Sequence, residues 1–297
     1  MALQIQVKNR NTSQLLNVAI IGILLLLYVP ILLHWLDGWL HKNISIEHEY
    51  FSHGMIGLPF AAYLVWLKRK QWQRLPDTTH PLGAVLLLVG GVFYLSGVPE
   101  WVNLSLPAIL AGLCLWFKGS SGFRLQGFPL LLVFLATPTA LPYLIVPYTL
   151  PLQSFIAGTA GFILNQFGME VTVDQTNLYV GGRIVEVAPY CAGLKMLFTT
   201  IYVSLMLLYW TDVLSSRRIT IWFLSIAVII SISANIVRNT ILTFFHGTGQ
   251  EAGFHWLHDS WGGDLYSTCM LMLLVPLLNR INSYFSTNVE TTKLEET

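Results

Sequence analysis

Cys191 stands where a polar, strand-like stretch, Val185-Glu186-Val187-Ala188-Pro189, gives way to a long apolar run. A cysteine attacks or ligates only as its thiolate, so what matters is whatever lowers the cost of that charge. Pro189 has no amide hydrogen and suits the first turn of a helix, so the spacing predicts a helix that starts at about Tyr190 or Cys191 and runs to Trp210. The aligned peptide dipoles there favour an anion, and Lys195, four residues on, adds a positive charge on the same helical face. The plain alternative is a small buried hydrophobe. Cys114 and Cys269, deep in apolar segments with no charged neighbour nearby, read that way, and an odd total of 3 cysteines gives no disulfide framework.

Two further clusters carry polar chemistry. Arg238 follows a nearly pure hydrocarbon run in Ala234-Asn235-Ile236-Val237-Arg238-Asn239. A lone arginine at a span end is commonly an anchor that reaches the headgroups. Asn235, on the same helical face three residues earlier, argues for a lined cavity, because an amide is costly in lipid without a partner. Residues 243–260, read as a loop, hold His246, His255 and His258 with Glu251 and Asp259. His255 and His258 at a three-residue spacing suit zinc if a carboxylate joins them. Glu47-His48-Glu49 with His53 invites the same idea, although loop charges are ordinarily solvated, and His53 has the alternative of packing over an outer vestibule. Asp259 and Asp264 are candidates to orient a histidine, with a solvated surface role the equal alternative for either.

The elements that position these residues are membrane helices. The chain is 54% hydrophobic and 10% charged, with a net charge of +1 and a mean hydropathy of +0.61. Those values exclude an ordinary soluble domain, and with no basic patch there is no nucleic-acid partner. Apolar runs at 15–36, 51–67, 82–98, 101–117, 128–146, 192–210, 219–237 and 261–278 predict an all-α polytopic fold of about eight spans. The first run lacks a small-residue cleavage site, so it reads as a span rather than a signal peptide. Residues 118–126 read as a basic loop, 150–167 as an interfacial or re-entrant helix, and 170–187 as a small β-hairpin that must lie outside the lipid. Residues 1–14 and 281–297 read as cytoplasmic tails around a single membrane domain, 15–280.

Orientation follows from the basic residues. With the N-terminus inside, Lys8, Arg10, Lys68, Arg69, Lys70, Arg74, Lys118, Arg124, Arg217, Arg218, Arg280 and Lys293 face the cytoplasm; of the 16 lysines and arginines only Lys42, Arg183, Lys195 and Arg238 do not. Cys191 then opens the sixth span, Arg238 closes the seventh and His258 precedes the eighth, all at the extracytoplasmic level of the cytoplasmic (inner) membrane.

Tyr50-Phe51-Ser52-His53-Gly54, Cys191-Ala192-Gly193, Asn235-x-x-Arg238 and His258-Asp259-x-x-Gly262, in that order, resemble the exosortase/archaeosortase family over about residues 50–278. Each motif is short, and their order within one topology makes the likeness specific. The resemblance implies a membrane cysteine protease/transpeptidase acting on exported proteins with a C-terminal sorting signal of the PEP-CTERM kind. Cys191 matches the nucleophile, Arg238 the family's arginine and His258 its histidine, which some archaeal members replace with arginine. Ala192 replaces the serine of the Cys-Ser-Gly of many bacterial members, a departure that hints at a cyanobacterial subgroup. Lys195, Asn235, His53, Glu186 and Asp259 are the supporting or substrate-binding candidates. No cofactor and no metal is expected, and the acceptor nucleophile is left open. The hairpin is a candidate to pair with an extended substrate segment by strand addition, and Arg183 or Glu186 to read a charged substrate residue. Competing readings are a transporter or exopolysaccharide-assembly component with helices broken at Pro138, Pro142 and Pro147, a non-catalytic scaffold, and a zinc-dependent membrane hydrolase.

Overall fold

The computed structural model describes residues 2–40, 50–189, 193–258 and 260–295. Its contacts fall into two compact units, Met1–Thr139 and Ala140–Thr297. Among the described residues, Gly22–Leu40, Pro99–Ala136, Arg217–Gly247 and Trp261–Phe285 are long and apolar enough to cross a bilayer, and Gly54–Leu67, Pro81–Leu95 and Leu194–Trp210 are apolar but shorter. The helical membrane fold with a small sheet is as expected. Of the eight expected spans, four have full length, since a crossing takes roughly 20 residues.

The first unit contains α1 (Ala2–Leu40), α2 (Gly54–Leu67), α3 (Arg69–Arg74), α4 (Pro81–Leu95) and α5 (Pro99–Ala136). Helix α1 runs through the stretch expected as a polar tail. Prolines open α4 and α5, where a missing amide hydrogen costs nothing, and Glu100 complements the N-terminal dipole of α5. Tyr28, Trp35, Trp39 and Leu106 form the core. The polar tips of its aromatics are satisfied inside it, by Tyr28 Oη with Ser105 Oγ at 2.7 Å and Trp35 Nε1 donating to Asn103 Oδ1 at 2.8 Å.

The basic loop expected at 118–126 is instead helical, with Gly119 (φ 59°, ψ −154°) the one break within α5. Lysines hold this region together. Lys118 Nζ donates to the Leu75 carbonyl at 2.7 Å and to Asp77 Oδ1 at 2.6 Å, and Lys68 Nζ donates to the Leu125 carbonyl at 2.7 Å. A span over 128–146 is also corrected, because α5 stops at Ala136. Thr137 precedes Pro138 and is extended (φ −73°, ψ 119°), as a proline's neighbour is driven to be.

The second unit begins with α6 (Leu141–Ile145), a 3-10 turn (Val146–Tyr148) and α7 (Leu150–Gln166). The expected hairpin is a three-stranded antiparallel meander of β1 (Val171–Asp174), β2 (Asn177–Val180) and β3 (Arg183–Glu186) with β2 central. The strand pairs run Val171 with Val180 to Asp174 with Asn177, and Asn177 with Glu186 to Val180 with Arg183. The extra strand follows from the Gln175-Thr176 turn, where Gln175 takes φ 53°. Alternation sends Val171, Leu178 and Val180 toward α7, where they pack with Ile156, Ala157, Ala160, Leu164 and Val187. The helix expected over 150–167 is α7, with its apolar stripe covered by the sheet.

Helices α8 (Leu194–Trp210), α9 (Arg217–Gly247), α10 (Glu251–His258), α11 (Trp261–Met272) and α12 (Leu274–Glu295) complete the unit. Leu208, Ile219, Phe223, Ala227, Leu274, Leu278 and Ile281 form their shared core. Two expectations change here. The span read as ending near residue 237 continues to Gly247, and much of the 243–260 loop is helical. Helix α12 likewise runs on through most of the expected C-terminal tail.

Candidate functional site

The longer α9 has a buried polar stripe. Ser231 (1% exposed), Asn235 (2%), Asn239 (4%) and Thr243 (0%) recur every four residues and so share one face. Asn239 Nδ2 donates to the Asn235 carbonyl at 2.9 Å. This face turns into protein rather than lipid, which is why the helix does not stop at its charged residue: Ile236 joins the core beneath the sheet, and Gly247 lies against Val180. Arg238 is therefore a mid-helix residue, not the terminal anchor of a span. Sequence reasoning found Asn235 and Arg238 and missed Ser231, Asn239 and Thr243, although a Ser/Asn/Asn/Thr period of four inside a hydrocarbon run was there to be seen.

The segment after the cysteine meets this face directly. Cys191 lies outside the described residues, together with Tyr190 and Ala192, but Gly193 is described. It is the N-cap of α8 with φ 79° and ψ 13°. A β-carbon there would stand 2.6 Å from Asn235 Cγ and 2.7 Å from its Nδ2. Glycine is required twice over, for the left-handed backbone and for the close approach. The helix thus starts at Leu194 rather than at Tyr190 or Cys191. The expected four-residue pairing of Lys195 with Cys191 falls on position 191 and so lies outside the described residues. Lys195 itself is half-buried in the first turn, where its carbonyl accepts from Thr199 Oγ1 at 2.9 Å.

One turn beyond Asn235, the Arg238 guanidinium reaches the next element. Its Nη2 donates to the carbonyl of Leu257 at 3.3 Å, one residue before His258. Its Nε is buried and has no hydrogen-bond partner among the described residues. Tyr266, from α11, donates to the Ala234 carbonyl at 2.6 Å and closes the other side of this turn. His258 ends α10 with its ring stacked on Phe254, 5.1 Å between centroids and 9° between planes. Two glycines let α11 come this close. A β-carbon on Gly262 would stand 2.6 Å from the Trp256 carbonyl, and one on Gly263 would stand 2.8 Å from the Leu257 carbonyl and 3.3 Å from Arg238 Nη2. Segments from three parts of the chain, at 193, 235–238 and 257–263, therefore share one neighbourhood within the second unit.

The other candidates lie elsewhere. His53 belongs to the first unit, is 4% exposed, and holds the Leu135 carbonyl with Nε2 at 3.0 Å. Glu186 is exposed on β3. Asp259, Glu47, His48 and Glu49 lie outside the described residues. Glu251 is ion-paired with Arg183 and lies 3.6 Å from His246 Nδ1. Among the described residues no group of three or more His, Cys, Asp and Glu side chains is placed to hold a metal ion. Cys114 is half-buried and Cys269 exposed, both as free thiols.

Residues 35–275 match the family model described as transmembrane exosortase. No curated protein and no solved structure matches the chain. The matched stretch takes in most of the chain, including Gly193, the Asn235–Arg238 turn and the α10–α11 junction, and the protein belongs to the transmembrane exosortase family.

Proposed function

We propose that the protein is a membrane cysteine protease/transpeptidase that cleaves C-terminal sorting signals from exported proteins and passes them to an acceptor nucleophile. The observation that carries the reading is the packing of Gly193, two residues past Cys191, against Asn235, one turn from Arg238, whose guanidinium holds the carbonyl next to His258. Membership in the exosortase family supports a membrane enzyme with protein substrates that bear sorting signals.

In this mechanism the Cys191 thiolate attacks a substrate amide carbon, and the carbonyl electron pair moves to oxygen. Arg238 stabilises that oxyanion with donors that keep their protons throughout. His258, as imidazolium, gives its proton to the leaving amine as the C–N bond breaks, which leaves a thioester. An acceptor amine or other nucleophile then attacks the thioester carbon and expels the thiolate, while neutral His258 takes the acceptor's proton. Water in place of the acceptor gives proteolysis. The site works at the extracytoplasmic face of the inner membrane. Open strand edges are not tolerated against lipid, which puts the sheet outside the bilayer, and the distribution of lysine and arginine favours the extracytoplasmic side.

The test follows a tagged exported protein with a candidate tail. Cys191→Ala, Arg238→Ala and His258→Ala each leave full-length precursor in the membrane. Normal processing by the Cys191→Ala chain would exclude thiol chemistry.

A further inference from the structure

The small sheet has two edges, and the fold treats them differently. The Gln175-Thr176 and Gly181-Gly182 turns each join strands through two residues, so the closing pairs Asp174 with Asn177 and Val180 with Arg183 are hydrogen-bonded ones. Counting along the ladders, Val171 and Val173 of β1 and Ile184 and Glu186 of β3 point their main-chain groups out of the sheet. The β2–β3 parity extends past the strand end, where Val187 N–H donates to the Thr176 carbonyl at 2.9 Å.

On β1 the outward position is closed. The Asn165 side chain of α7 accepts from Val171 N–H at 3.0 Å and donates to its carbonyl at 3.0 Å, as a neighbouring strand would. On β3 no described residue makes such bonds to Ile184 or Glu186. Proteins ordinarily cover or blunt an edge of this kind. Here the edge is exposed, with Ile184 59% accessible, and is bordered by a groove of about 630 Å³ lined by Thr172, Tyr179, Arg183, Ile184 and Gly247. The Arg183–Glu251 ion pair ties the start of β3 to α10, the helix that ends in His258. The other end of β3 leads, five residues after Glu186, to Cys191.

We infer that the outward edge of β3 is the docking rail for the extended segment of the exported protein that is to be cleaved, which adds to the sheet as a fourth strand. The inference rests on the cysteine protease/transpeptidase reading. Ile184 and Glu186 supply two N–H and two C=O groups to the incoming backbone, the groove receives one of its side chains, and the pairing directs the peptide toward the thiol. Because the bonds are to main chain, the rail fixes conformation and register while tolerating many side chains.

The experiment compares processing of the tagged precursor by the full-length protein and by its Ile184→Pro and Glu186→Pro variants. Proline at either position removes an outward N–H and leaves the bonds of positions 183 and 185 to β2 in place. The expected result is at least tenfold slower processing, with unchanged membrane level and unchanged labelling of Cys191. Processing at the parent rate by both variants overturns the rail and leaves the thiol reading standing. Normal processing by Cys191→Ala overturns the reading and the rail together. Should the proline variants fail to accumulate, a photo-reactive residue at 186 in the Cys191→Ala chain decides. Crosslinking to precursor from 186 and not from 174, an exposed position on β1 away from the groove, supports the rail, and crosslinking from 174, or from neither, overturns it.

Discussion

Gly193 is seated against the Asn235 side chain, with 2.6 Å between its missing β-carbon and Asn235 Cγ. This contact joins the start of α8, which follows the cysteine, to the arginine-bearing turn of α9. Adding a methyl group at 193 meets both the amide and a left-handed backbone that costs an L-residue about 1–2 kcal/mol. Gly193→Ala should lower processing at least tenfold while membrane insertion persists. Asn235→Ala in the same chain should restore part of the loss, since it clears two of the three clashing atoms. Rates that multiply independently in the double variant would show that the contact does not couple the two segments.

Arg238→Lys keeps the charge but loses the planar fork that runs from the Leu257 carbonyl to Nε, which has no hydrogen-bond partner among the described residues. If the guanidinium serves the oxyanion, both Arg238→Lys and Arg238→Ala should slow single-turnover cleavage by about 10²–10³-fold. A lysine variant within threefold of the parent rate would assign the residue to charge or anchoring alone.

The α10–α11 junction leaves no room at Gly262, whose β-carbon would stand 2.6 Å from the Trp256 carbonyl. Gly262→Ala should cost about 1–3 kcal/mol through overpacking, visible as a lower unfolding temperature in detergent. Because the same shift moves His258, cleavage should fall further than the loss of folded protein explains.

Leu178 is wholly buried between the sheet and α7. Leu178→Ala should destabilise by about 2–5 kcal/mol, and limited proteolysis should then cut within residues 170–187 before any other site. Unchanged resistance there would mean that the sheet does not depend on this core.

Thiol and metal chemistry separate cleanly. Iodoacetamide applied from outside the cell should abolish processing, whereas a chelator at millimolar concentration should leave it unchanged. Chelator sensitivity, with loss of activity in His255→Ala, would restore the zinc-hydrolase alternative.

Much of this was legible in the sequence because membrane solvation is a strong, one-dimensional constraint. Long apolar runs and the alternation in 170–187 each report a local rule that the chain obeys. The short motifs around Gly193, Asn235, Arg238, His258 and Gly262 were readable as residue types in order. Less legible was where helices end. A charge such as Arg238 looks like a boundary when the helix is judged against lipid, yet α9 continues nine residues to Gly247 because its polar stripe faces protein. Lys118 was likewise assigned to a loop, although carbonyl and carboxylate partners 43 and 41 residues away hold it inside a helix.

By itself the sequence determined the class of solvent, the helical fold with a small sheet, and which polar residues had no reason to lie in lipid. Only the tertiary structure decided that Gly193 abuts Asn235, that Arg238 holds the carbonyl beside His258, and that one sheet edge is sealed by Asn165 while the other stays open. Composition and periodicity are sums over neighbours along the chain, whereas each of these relationships is a close approach between segments far apart in it, fixed by which side chains are small enough to let them meet.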